Sequence, residues 1–282
     1  MSVAVVTMTK NPANLEYWLD YHVKKGIAKV YVRLEVDSPE EEARFRAVLE
    51  PYARTKKVVF VVGRSTDRLS SKAIVPEAEM KLNVPGQAQM IRQRVWVSEA
   101  IRRGLEDGVK WLVHIDTDEL LDCEGSVGRA IERDVRGDDA VQTLVLPNVE
   151  AVYAGVSNAA CFEKRATREC SAGGCASYAN GKGAGRVTPH LHEHGVHRFR
   201  SSNRLLHKEI ELVSLKVVHF ESCDFDAYMK KFLSLAGSEA VDFPFKYYND
   251  SVAVARGKEC VDDPRGDGCV RDFERVYRTY RT

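Results

Sequence analysis

The chain has 282 residues, with 42 basic and 41 acidic side chains and a formal net charge of +1. That balance argues against a dedicated nucleic-acid-binding protein, which would carry a strongly basic surface. No apolar run approaches the ~18 residues that a transmembrane helix needs, and the N-terminus lacks the pattern of a signal peptide. We therefore expect a soluble globular protein, or a domain cut from a longer chain, with no nucleic-acid partner and no membrane span in this chain.

The N-terminal part of the chain alternates between apolar strand patterns and amphipathic helix patterns. Ser38 is a predicted helix N-cap, with Pro39 at the first helical position and Glu41 completing a capping box. Strands joined by helices in this order predict a parallel sheet with crossover helices. The predicted elements are a strand at Val3–Met8, a helix at Asn14–Lys25, a strand at Val30–Leu34, a helix from Ser38 to Tyr52 and a strand at Val58–Val62.

The remaining chain continues the α/β pattern after a long loop predicted at residues 64–85. Residues 161–185, rich in Gly, Ala, Ser and Cys, carry weak structure signals, and the tail from Asp242 is polar and irregular. The predicted elements are a helix at Gln87–Asp107, a strand at Trp111–Ile115, a helix from Ser126 to Asp134, strands at Val141–Leu146 and Leu212–Phe220, and a helix from Asp224. The core face of the long helix is predicted to hold Met90, Ile91, Val95, Ile101 and Leu105.

These elements predict an α/β fold with a mixed, mostly parallel central sheet flanked by helices. We predict one domain over residues 1–240 and an irregular C-terminal extension, packed on it, over residues 241–282. Seven cysteines leave at least one thiol outside any disulfide framework. The spacing of Cys170 and Cys175, and of Cys260 and Cys269, leaves two alternatives: a loop disulfide within each pair, or scattered free thiols.

The stretch Trp111–Leu121 carries the strongest functional signal. Its apolar run has the length of a buried strand and ends at Asp116 and Asp118, and ligands of open α/β sheets gather at the carboxyl ends of strands. Side chains at i and i+2 of an extended segment share a face. We therefore predict that the two carboxylates bind Mn²⁺ or Mg²⁺, hard cations that prefer oxygen ligands. The alternative is an acidic, solvated turn after a strand.

Two further positions are candidates for the same site. His219 ends the predicted strand Leu212–Phe220, which we expect to enter the same sheet and to end on the same edge as Trp111–Ile115. It is either a third metal ligand or a core histidine with satisfied hydrogen bonds. Lys182 lies in a Gly-rich segment that departs from the P-loop pattern. That segment is either a phosphate contact, with Lys182 as a point charge, or a flexible surface loop.

Four short motifs follow one another along residues 3–233: Asn11 with Leu15–His22 and Gly26; Trp111–Glu119; Lys182, Arg186 and Pro189 with Gly195-Val196-His197; and Val218–Ser222 with Tyr228 and Lys231. In this order they resemble the motifs of the glycosyltransferases of family 92 and their family-2-like relatives. Two departures from the family pattern affect the expected contacts to the donor base: Pro12 stands where Glu is usual, and Arg33-Leu34-Glu35 replaces an Asp/Asn-rich strand end.

The resemblance implies a GT-A fold, a nucleotide-sugar donor (predicted to be a UDP-hexose) and a glycan or glycoconjugate acceptor. It also implies Mn²⁺ (or Mg²⁺) held by Asp116 and Asp118, with His219 as a further ligand. If the enzyme inverts, a carboxylate must take the proton of the acceptor hydroxyl. The candidates for that base are Glu150, Asp224 and Asp226. The predicted contacts to the nucleotide are Thr7, Thr9, Lys10, Asn11, Arg92, Thr117, Lys182 and His197.

The main alternative is a phosphatase of the haloacid dehalogenase type, with Asp116 as nucleophile. Leu120 stands where that class has Thr or Val, and the motif lies more than ~110 residues into the chain rather than near its start. A non-catalytic carbohydrate-binding module is a third hypothesis, which would not need the paired aspartates. Two cellular locations fit the sequence. The protein is either cytoplasmic or the catalytic domain of a Golgi-type enzyme.

Overall fold

The protein is described by a computed structural model that covers residues 1–64, 67, 87–155, 162–170, 175–177, 179–195, 197–203, 207–237 and 245–282. These residues form two compact units. The sheet unit comprises Met1–Pro147 and Asn180–Val217, and the cysteine-rich unit comprises Asn148–Ala179 and Val218–Thr282. The loop predicted at residues 64–85 lies almost wholly outside the described residues.

The described residues form thirteen strands and eight helices. The strands are β1 (Val3–Lys10), β2 (Lys29–Glu35), β3 (Val58–Gly63), β4 (Trp111–His114), β5 (Glu119–Cys123), β6 (Val141–Leu146), β7 (Asn148–Val152), β8 (Ala166–Glu169), β9 (Lys182–Arg186), β10 (Leu191–His194), β11 (Arg198–Ser201), β12 (Lys208–Glu211) and β13 (Leu215–His219). The helices are α1 (Leu15–Lys24), α2 (Pro39–Arg54), α3 (Gln87–Glu106), α4 (Val127–Val135), α5 (Phe225–Ala236), α6 (Lys246–Ala255), α7 (Lys258–Asp262) and α8 (Asp267–Arg281).

A seven-stranded sheet forms the centre of the sheet unit, in the order β12-β6-β9-β4-β1-β2-β3. Strand β1 pairs in parallel with β2 and with β4, β2 pairs in parallel with β3, and β12 pairs in parallel with β6. Strand β9 is antiparallel to both of its neighbours. The predicted fold class, a mixed and mostly parallel sheet flanked by helices, is confirmed.

Local sequence explains the first crossovers. Strand β1 is buried from Val3 to Thr9, as expected for a strand covered on both faces. Helix α2 begins after Ser38, whose hydroxyl accepts a hydrogen bond from the Glu41 backbone N–H at 3.2 Å. The Glu41 carboxylate accepts from the backbone N–H of Asp37 at 2.8 Å. The predicted capping box therefore forms with its return bond one residue earlier than in the standard motif.

The predicted core face of α3 is partly wrong. Met90 is 42% exposed and Leu105 is 40% exposed, whereas Trp96 is buried in the apolar core against β1 and β4. The Trp96 indole donates a hydrogen bond of 2.9 Å to the backbone oxygen of Thr7. Burial of this large, hydrogen-bonded ring determines which face of α3 packs on the sheet. Met90 and Leu105, which were predicted to lie on that face, are therefore exposed.

Strand β9 corrects the expectation of a flexible loop around Lys182. It is a buried internal strand of the sheet, and its glycines are needed for close packing. A Cβ atom at Gly183 would lie 2.8 Å from the backbone oxygen of His197, and Gly181 adopts φ +63° against the backbone of Leu146. A sequence without large apolar residues thus forms a strand because β4 and β6 pair with it on both sides.

Strand β13 is shorter than predicted, and it is not one of the seven strands of the central sheet. The expectation that His219 ends a strand of that sheet is therefore wrong. The segment that joins the central sheet next to β6 is instead the preceding one, residues 208–211, which form the edge strand β12. The chain passes into the cysteine-rich unit within β13.

The cysteine-rich unit contains the antiparallel pair β7–β8 and helices α5 to α8. Disulfides join Cys170 to Cys175 and Cys260 to Cys269, and Cys223 is also disulfide-bonded. Among the described cysteines, Cys123 of the sheet unit is a free thiol. The two loop disulfides that the sequence left open are present.

The predicted irregular tail is mostly helical, in α6, α7 and α8. Helices α6 and α8 each bury aromatic side chains and small apolar residues, and the Cys260–Cys269 disulfide links α7 to α8. These buried positions were not recognised in the sequence because many charged residues lie between them. The two units accordingly divide near residues 148, 180 and 218 rather than at residue 240. None of the described helices combines the length and apolar character needed to cross a membrane.

Candidate functional site

The Asp-x-Asp segment is a tight turn between β4 and β5. The backbone N–H of Glu119 bonds to the oxygen of Asp116 at 3.2 Å, and the Glu119 carboxylate accepts from the Asp116 N–H at 2.8 Å. Thr117 and Asp118 form the turn itself. The backbone is not extended there, so the argument that Asp116 and Asp118 share one strand face does not hold. Glu119, which sequence reasoning left without a role, organises the turn.

Lys182 provides the positive charge at this turn. Its side chain is fully buried on β9, and its ammonium group forms ion pairs with the carboxylates of Asp116 and, at 3.3 Å, Glu119. Burial alone would lower the pKa of Lys182, but the two carboxylates outweigh it and hold the pKa above its usual value. Burial would raise the pKa of Asp116, yet the charge of Lys182 holds it well below the usual range. Asp116 and Lys182 are therefore both ionised at neutral pH.

Two imidazoles lie close to the same charges. His114, at the end of β4, has its pKa lowered to about 4 by burial and by the charge of Lys182. The pKa of His197 is lowered to about 3 for the same two reasons. Both rings are neutral at physiological pH. The predicted nucleotide contact His197 is thus an uncharged neighbour of the Asp116–Lys182 pair.

Threonines extend the polar site toward the end of β1. The Thr9 and Thr117 hydroxyls are joined by a hydrogen bond of 2.7 Å, which connects β1 to the turn after β4. Thr7 is completely buried, and its hydroxyl has no hydrogen-bond partner among the described residues. The three predicted nucleotide contacts therefore differ: Thr9 and Thr117 lie together, whereas Thr7 is in the interior.

A cavity of about 160 Å³ opens at the carboxyl ends of β1 and β2. Its polar wall is a buried ion pair, in which Arg92 donates to the two carboxylate oxygens of Glu35 at 2.5 and 3.0 Å. Pockets that enclose a drug-sized ligand usually measure ~300–1,000 Å³, so this cavity suits one ring of a ligand. The residues that line it are Met8, Thr9, Lys10, Glu35, Gln89 and Arg92.

The remaining predicted nucleotide contacts are at the rim of the same sheet edge. Lys10 pairs with Asp37 at 2.8 Å and is about half exposed. The Asn11 side chain accepts a hydrogen bond from Arg44 at 2.8 Å, and Asn11 has φ +46°. Positive φ is uncommon outside glycine, and asparagine tolerates it better than most residues.

The cysteine-rich unit holds a separate buried polar network, which contains the predicted base Glu150. The two carboxylate oxygens of Glu150 accept the backbone N–H groups of Ala176 at 2.8 Å and Ser177 at 2.7 Å. The Ser177 hydroxyl also bonds to Glu150, and the Arg281 guanidinium lies 3.4 Å away. Glu150 is 1% exposed. These contacts are those of a structural carboxylate.

His219 lies at the other end of this network. Its Nδ1 atom is 3.2 Å from the Ser177 hydroxyl, and its Nε2 atom is 3.6 Å from a carboxylate oxygen of Glu221. The second Glu221 oxygen accepts from Lys231 at 2.8 Å. Burial would raise the pKa of Glu221, but the charge of Lys231 outweighs it and holds that pKa below its ordinary value. Glu221, Ser177 and Lys231 were not among the predicted site residues.

The other two predicted bases lie at the start of α5. Asp224 is the N-cap, and its carboxylate accepts from the Ala227 N–H at 2.8 Å. Asp226 is exposed in the first turn.

Within the sheet unit, the structure brings Asp116, Lys182, His197, Thr9 and Thr117 into one region. Sequence reasoning missed Glu35, although its position carried a signal. Glu35 lies at the end of an apolar strand, β2, just as Asp116 follows the apolar strand β4.

The chain is similar to two curated proteins of Arabidopsis thaliana, both named glycosyltransferase-like. One is 23% identical over 239 residues, which cover 75% of this chain and 46% of the relative. The other is 27% identical over 222 residues, which cover 68% of this chain and 48% of the relative. The chain therefore spans about half the length of these curated relatives.

No family model matches the chain. Among solved structures, one that resembles it is a cytidylyltransferase from Leptospira borgpetersenii serovar Hardjo-bovis, with 11% sequence identity and a TM-score of 0.28. The likeness covers 52% of this chain and 54% of the other, and at this level it does not bear on function.

Proposed function

We propose that the chain is a glycosyltransferase domain that moves a hexose from a UDP-sugar to a hydroxyl of a glycan acceptor, with help from Mn²⁺ or Mg²⁺. The observation that carries the proposal is the charged turn of Asp116, Glu119 and Lys182 beside the Thr9–Thr117 hydrogen bond. It joins the carboxyl ends of neighbouring strands β1 and β4, the edge where α/β sheets bind ligands. The names of the two plant relatives support the same chemistry.

The cavity at the ends of β1 and β2 is the proposed site for the nucleobase or ribose. Its volume suits a single ring, and its wall offers the Glu35–Arg92 pair and the Thr9 hydroxyl as polar partners. The base would lie there and the diphosphate near Lys182, whose charge is fixed by Asp116 and Glu119. Lys182 would then stabilise the negative charge that develops on the leaving nucleoside diphosphate.

The predicted metal ligands Asp116, Asp118 and His219 stay a proposal. Carboxylate oxygens with an imidazole nitrogen form a donor set that suits Mn²⁺. When bound, such an ion supplies Lewis-acid stabilisation of the leaving diphosphate. The Asp116 carboxylate is also an ion-pair partner of Lys182.

The proposed catalytic base is Asp226 or Asp224. Glu150 fits that role poorly, because its oxygens accept two backbone N–H groups and lie beside Arg281. Asp226 is exposed, and one carboxylate oxygen of Asp224 accepts the capping hydrogen bond from the Ala227 N–H. A base must reach the acceptor hydroxyl, so an exposed carboxylate fits the task better than a buried one.

The test is a screen of nucleotide sugars for thermal stabilisation and for release of the nucleoside diphosphate, with Mn²⁺ and with EDTA. We expect a UDP-sugar to stabilise the protein most strongly in the presence of Mn²⁺. Hydrolysis of p-nitrophenyl phosphate that is lost in Asp116→Asn, with no response to any nucleotide sugar, would favour the phosphatase instead.

A further inference from the structure

Side chains of α1 and of its C-cap residue hold one edge of β5 by hydrogen bonds to the strand backbone. In a strand, the N–H and C=O groups of every second residue point to the same edge. A helix thus occupies an edge at which another strand could pair. The three donated bonds are Trp18 Nε1 to the Glu119 oxygen at 2.7 Å, Tyr21 Oη to the Leu121 oxygen at 3.1 Å and Lys25 Nζ to the Cys123 oxygen at 2.7 Å.

The spacing of these bonds sets the register of β5 against α1. From Trp18 to Lys25 the helix advances about 10 Å at 1.5 Å per residue, and from Glu119 to Cys123 the strand advances about 13 Å. The two elements run in the same direction, so donors three or four residues apart on the helix meet acceptors two residues apart on the strand. A slip of β5 by one residue would break these bonds and turn its side chains to the opposite faces.

His22 adds a bond of the opposite sense to the same strand. Its Nε2 atom accepts the backbone N–H of Leu121 at 3.3 Å, and because a backbone N–H only donates, Nε2 carries no proton. The proton of the neutral ring is then on Nδ1, which donates to the backbone oxygen of Trp18 at 2.8 Å. Burial lowers the pKa of His22 to about 4, so the ring is neutral at pH 7 and keeps this tautomer.

Glu119 connects these contacts to the Asp-x-Asp turn. Trp18 and Glu119 are both completely buried, and the Trp18 indole holds the backbone oxygen of Glu119. The Glu119 carboxylate accepts the Asp116 N–H at 2.8 Å and lies 3.3 Å from the ammonium group of Lys182. A displacement of Glu119 would therefore change the positions of Asp116 and Lys182 as well, and shifts of about 1 Å are large on the scale that ligand positioning requires.

We propose that Trp18 and His22 are positioning residues for the Asp-x-Asp turn. They fix the register of β5, which places Glu119, and Glu119 in turn orients Asp116 and Lys182. The proposal rests on the proposed function only for the identity of the ligand that the turn binds. It gives a physical role to the motif segment Leu15–His22, which lies on α1 outside the turn itself.

The first test is amide hydrogen exchange measured by NMR without any ligand. Trp18→Phe removes the indole N–H and keeps an aromatic ring, and we expect exchange of the Asp116 and Leu121 amides to accelerate about 10-fold relative to amides of β2, the effect of one buried hydrogen bond. Trp111→Phe is the matched control, because Trp111 is equally buried and its indole has no hydrogen-bond partner among the described residues. It should accelerate these two amides no more than those of β2.

Equal acceleration in β2 and β5 of Trp18→Phe would make Trp18 a general packing residue and overturn the proposal. His22 is tested by rescue. His22→Leu removes the acceptor and should accelerate exchange of the Leu121 amide about 10-fold, whereas His22→Gln offers an amide oxygen to the same N–H and should restore most of the protection. Nitrogen NMR should show the wild-type ring protonated at Nδ1, and a ring protonated at Nε2 contradicts the assigned bond.

The second test is calorimetry of UDP binding in the presence of Mn²⁺. Trp18→Phe should bind UDP about 10-fold more weakly than the wild type, the size of loss that follows removal of a partner that orients a metal-site residue. The control Tyr31→Phe loses a 2.7 Å hydrogen bond to Asp107 elsewhere in the sheet unit and should bind UDP normally. Unchanged affinity in a folded Trp18→Phe variant overturns the positioning role.

Failure of the proposed function has a different signature. If the wild type binds no nucleotide but Trp18→Phe and His22→Leu selectively accelerate exchange at Asp116 and Leu121, the positioning of the turn stands and the glycosyltransferase proposal fails. If the wild type binds UDP with Mn²⁺ and both variants bind it equally well, the function stands and the positioning role fails.

Discussion

The two units are stabilised in different ways. The sheet unit consists of buried apolar strands paired in a seven-stranded sheet, and its described cysteine is a free thiol. The described strands β7 and β8 of the cysteine-rich unit are short, and the unit contains disulfides, packed aromatic rings and a buried ion pair between Arg281 and Glu150. Tyr228 alone contacts the rings of Phe225, Phe232, Tyr247, Phe273 and Tyr277. A chain segment that cannot form a large sheet core needs such covalent and aromatic links.

One buried carboxylate in each unit illustrates a different set of partners. In the sheet unit, Glu119 lies beside the ammonium group of Lys182 and accepts one backbone N–H, that of Asp116. In the cysteine-rich unit, Glu150 lies beside Arg281 and accepts two backbone N–H groups and the Ser177 hydroxyl. The comparison predicts that Glu119 depends more strongly on Lys182 than Glu150 does on Arg281. All three tryptophans, Trp18, Trp96 and Trp111, lie in the sheet unit, so tryptophan fluorescence follows its unfolding specifically.

The largest expected effect on stability is that of Lys182→Met. Removing this buried ammonium leaves Glu119 and Asp116 without their cation, which should lower the free energy of unfolding by about 3–5 kcal/mol. The measurement is urea unfolding followed by tryptophan fluorescence, with the exposed Lys110→Met as control. Adding Glu119→Gln to Lys182→Met should restore part of the loss. A loss below ~1 kcal/mol would show that the carboxylates do not depend on Lys182.

The next largest effect should come from the disulfide between α7 and α8. Replacing Cys260 and Cys269 by serine removes a short covalent loop, which should cost about 2–3 kcal/mol. Hydrogen exchange should accelerate in α6 and α8 but not in β1 and β4. Cys123→Ser, at the free thiol, should change stability by less than ~0.5 kcal/mol. Equal acceleration in the central sheet would remove the distinction between the units.

Acidification should weaken the sheet unit by a smaller amount. Burial lowers the pKa of His22 to about 4, below its value in the unfolded chain, so the unfolded state binds more protons between about pH 6.5 and pH 4. The contribution of His22 to the free energy of unfolding is therefore fully present above about pH 6.5, and it is lost as the pH decreases toward 4. His22→Gln should remove about 2 kcal/mol of the loss between pH 7 and pH 5, and the exposed His190→Gln should remove none. An unchanged pH profile in His22→Gln would contradict the assignment.

The smallest expected effect on stability is that of Asp118→Ala. Asp118 lies in the turn, and β4 is held by buried residues on both sides, so the free energy of unfolding should change by less than ~0.5 kcal/mol. Transfer of the sugar should nevertheless be abolished. Asp122→Ala, at the exposed position of β5, is the matched control and should keep activity. Near-normal transfer by a folded Asp118→Ala variant would exclude Asp118 from the site.

The sequence predicted the parts of the fold that depend on local patterns. Apolar runs identified β1 and β4, and the cap at Ser38 identified the start of α2. Sequence analysis failed to predict the strand that contains Lys182. The segment Gly-Lys-Gly-Ala-Gly has no apolar pattern, and it forms β9 because it pairs with β4 and β6. The position of Asp116 after a strand was readable from the sequence, whereas the contact between Ser177 and His219 was not, because the two residues are far apart in the chain.

The most direct test of the proposed function is calorimetry of UDP and GDP binding to the wild type and to Asp118→Ala, each with Mn²⁺ and with EDTA. The wild type should bind UDP at least ~10-fold more tightly with Mn²⁺ than in EDTA, by analogy with the loss that follows removal of a metal-site residue. Asp118→Ala should bind UDP equally weakly in both conditions. Equal binding of UDP by the wild type in Mn²⁺ and in EDTA would contradict a metal bridge between the Asp-x-Asp turn and the donor diphosphate.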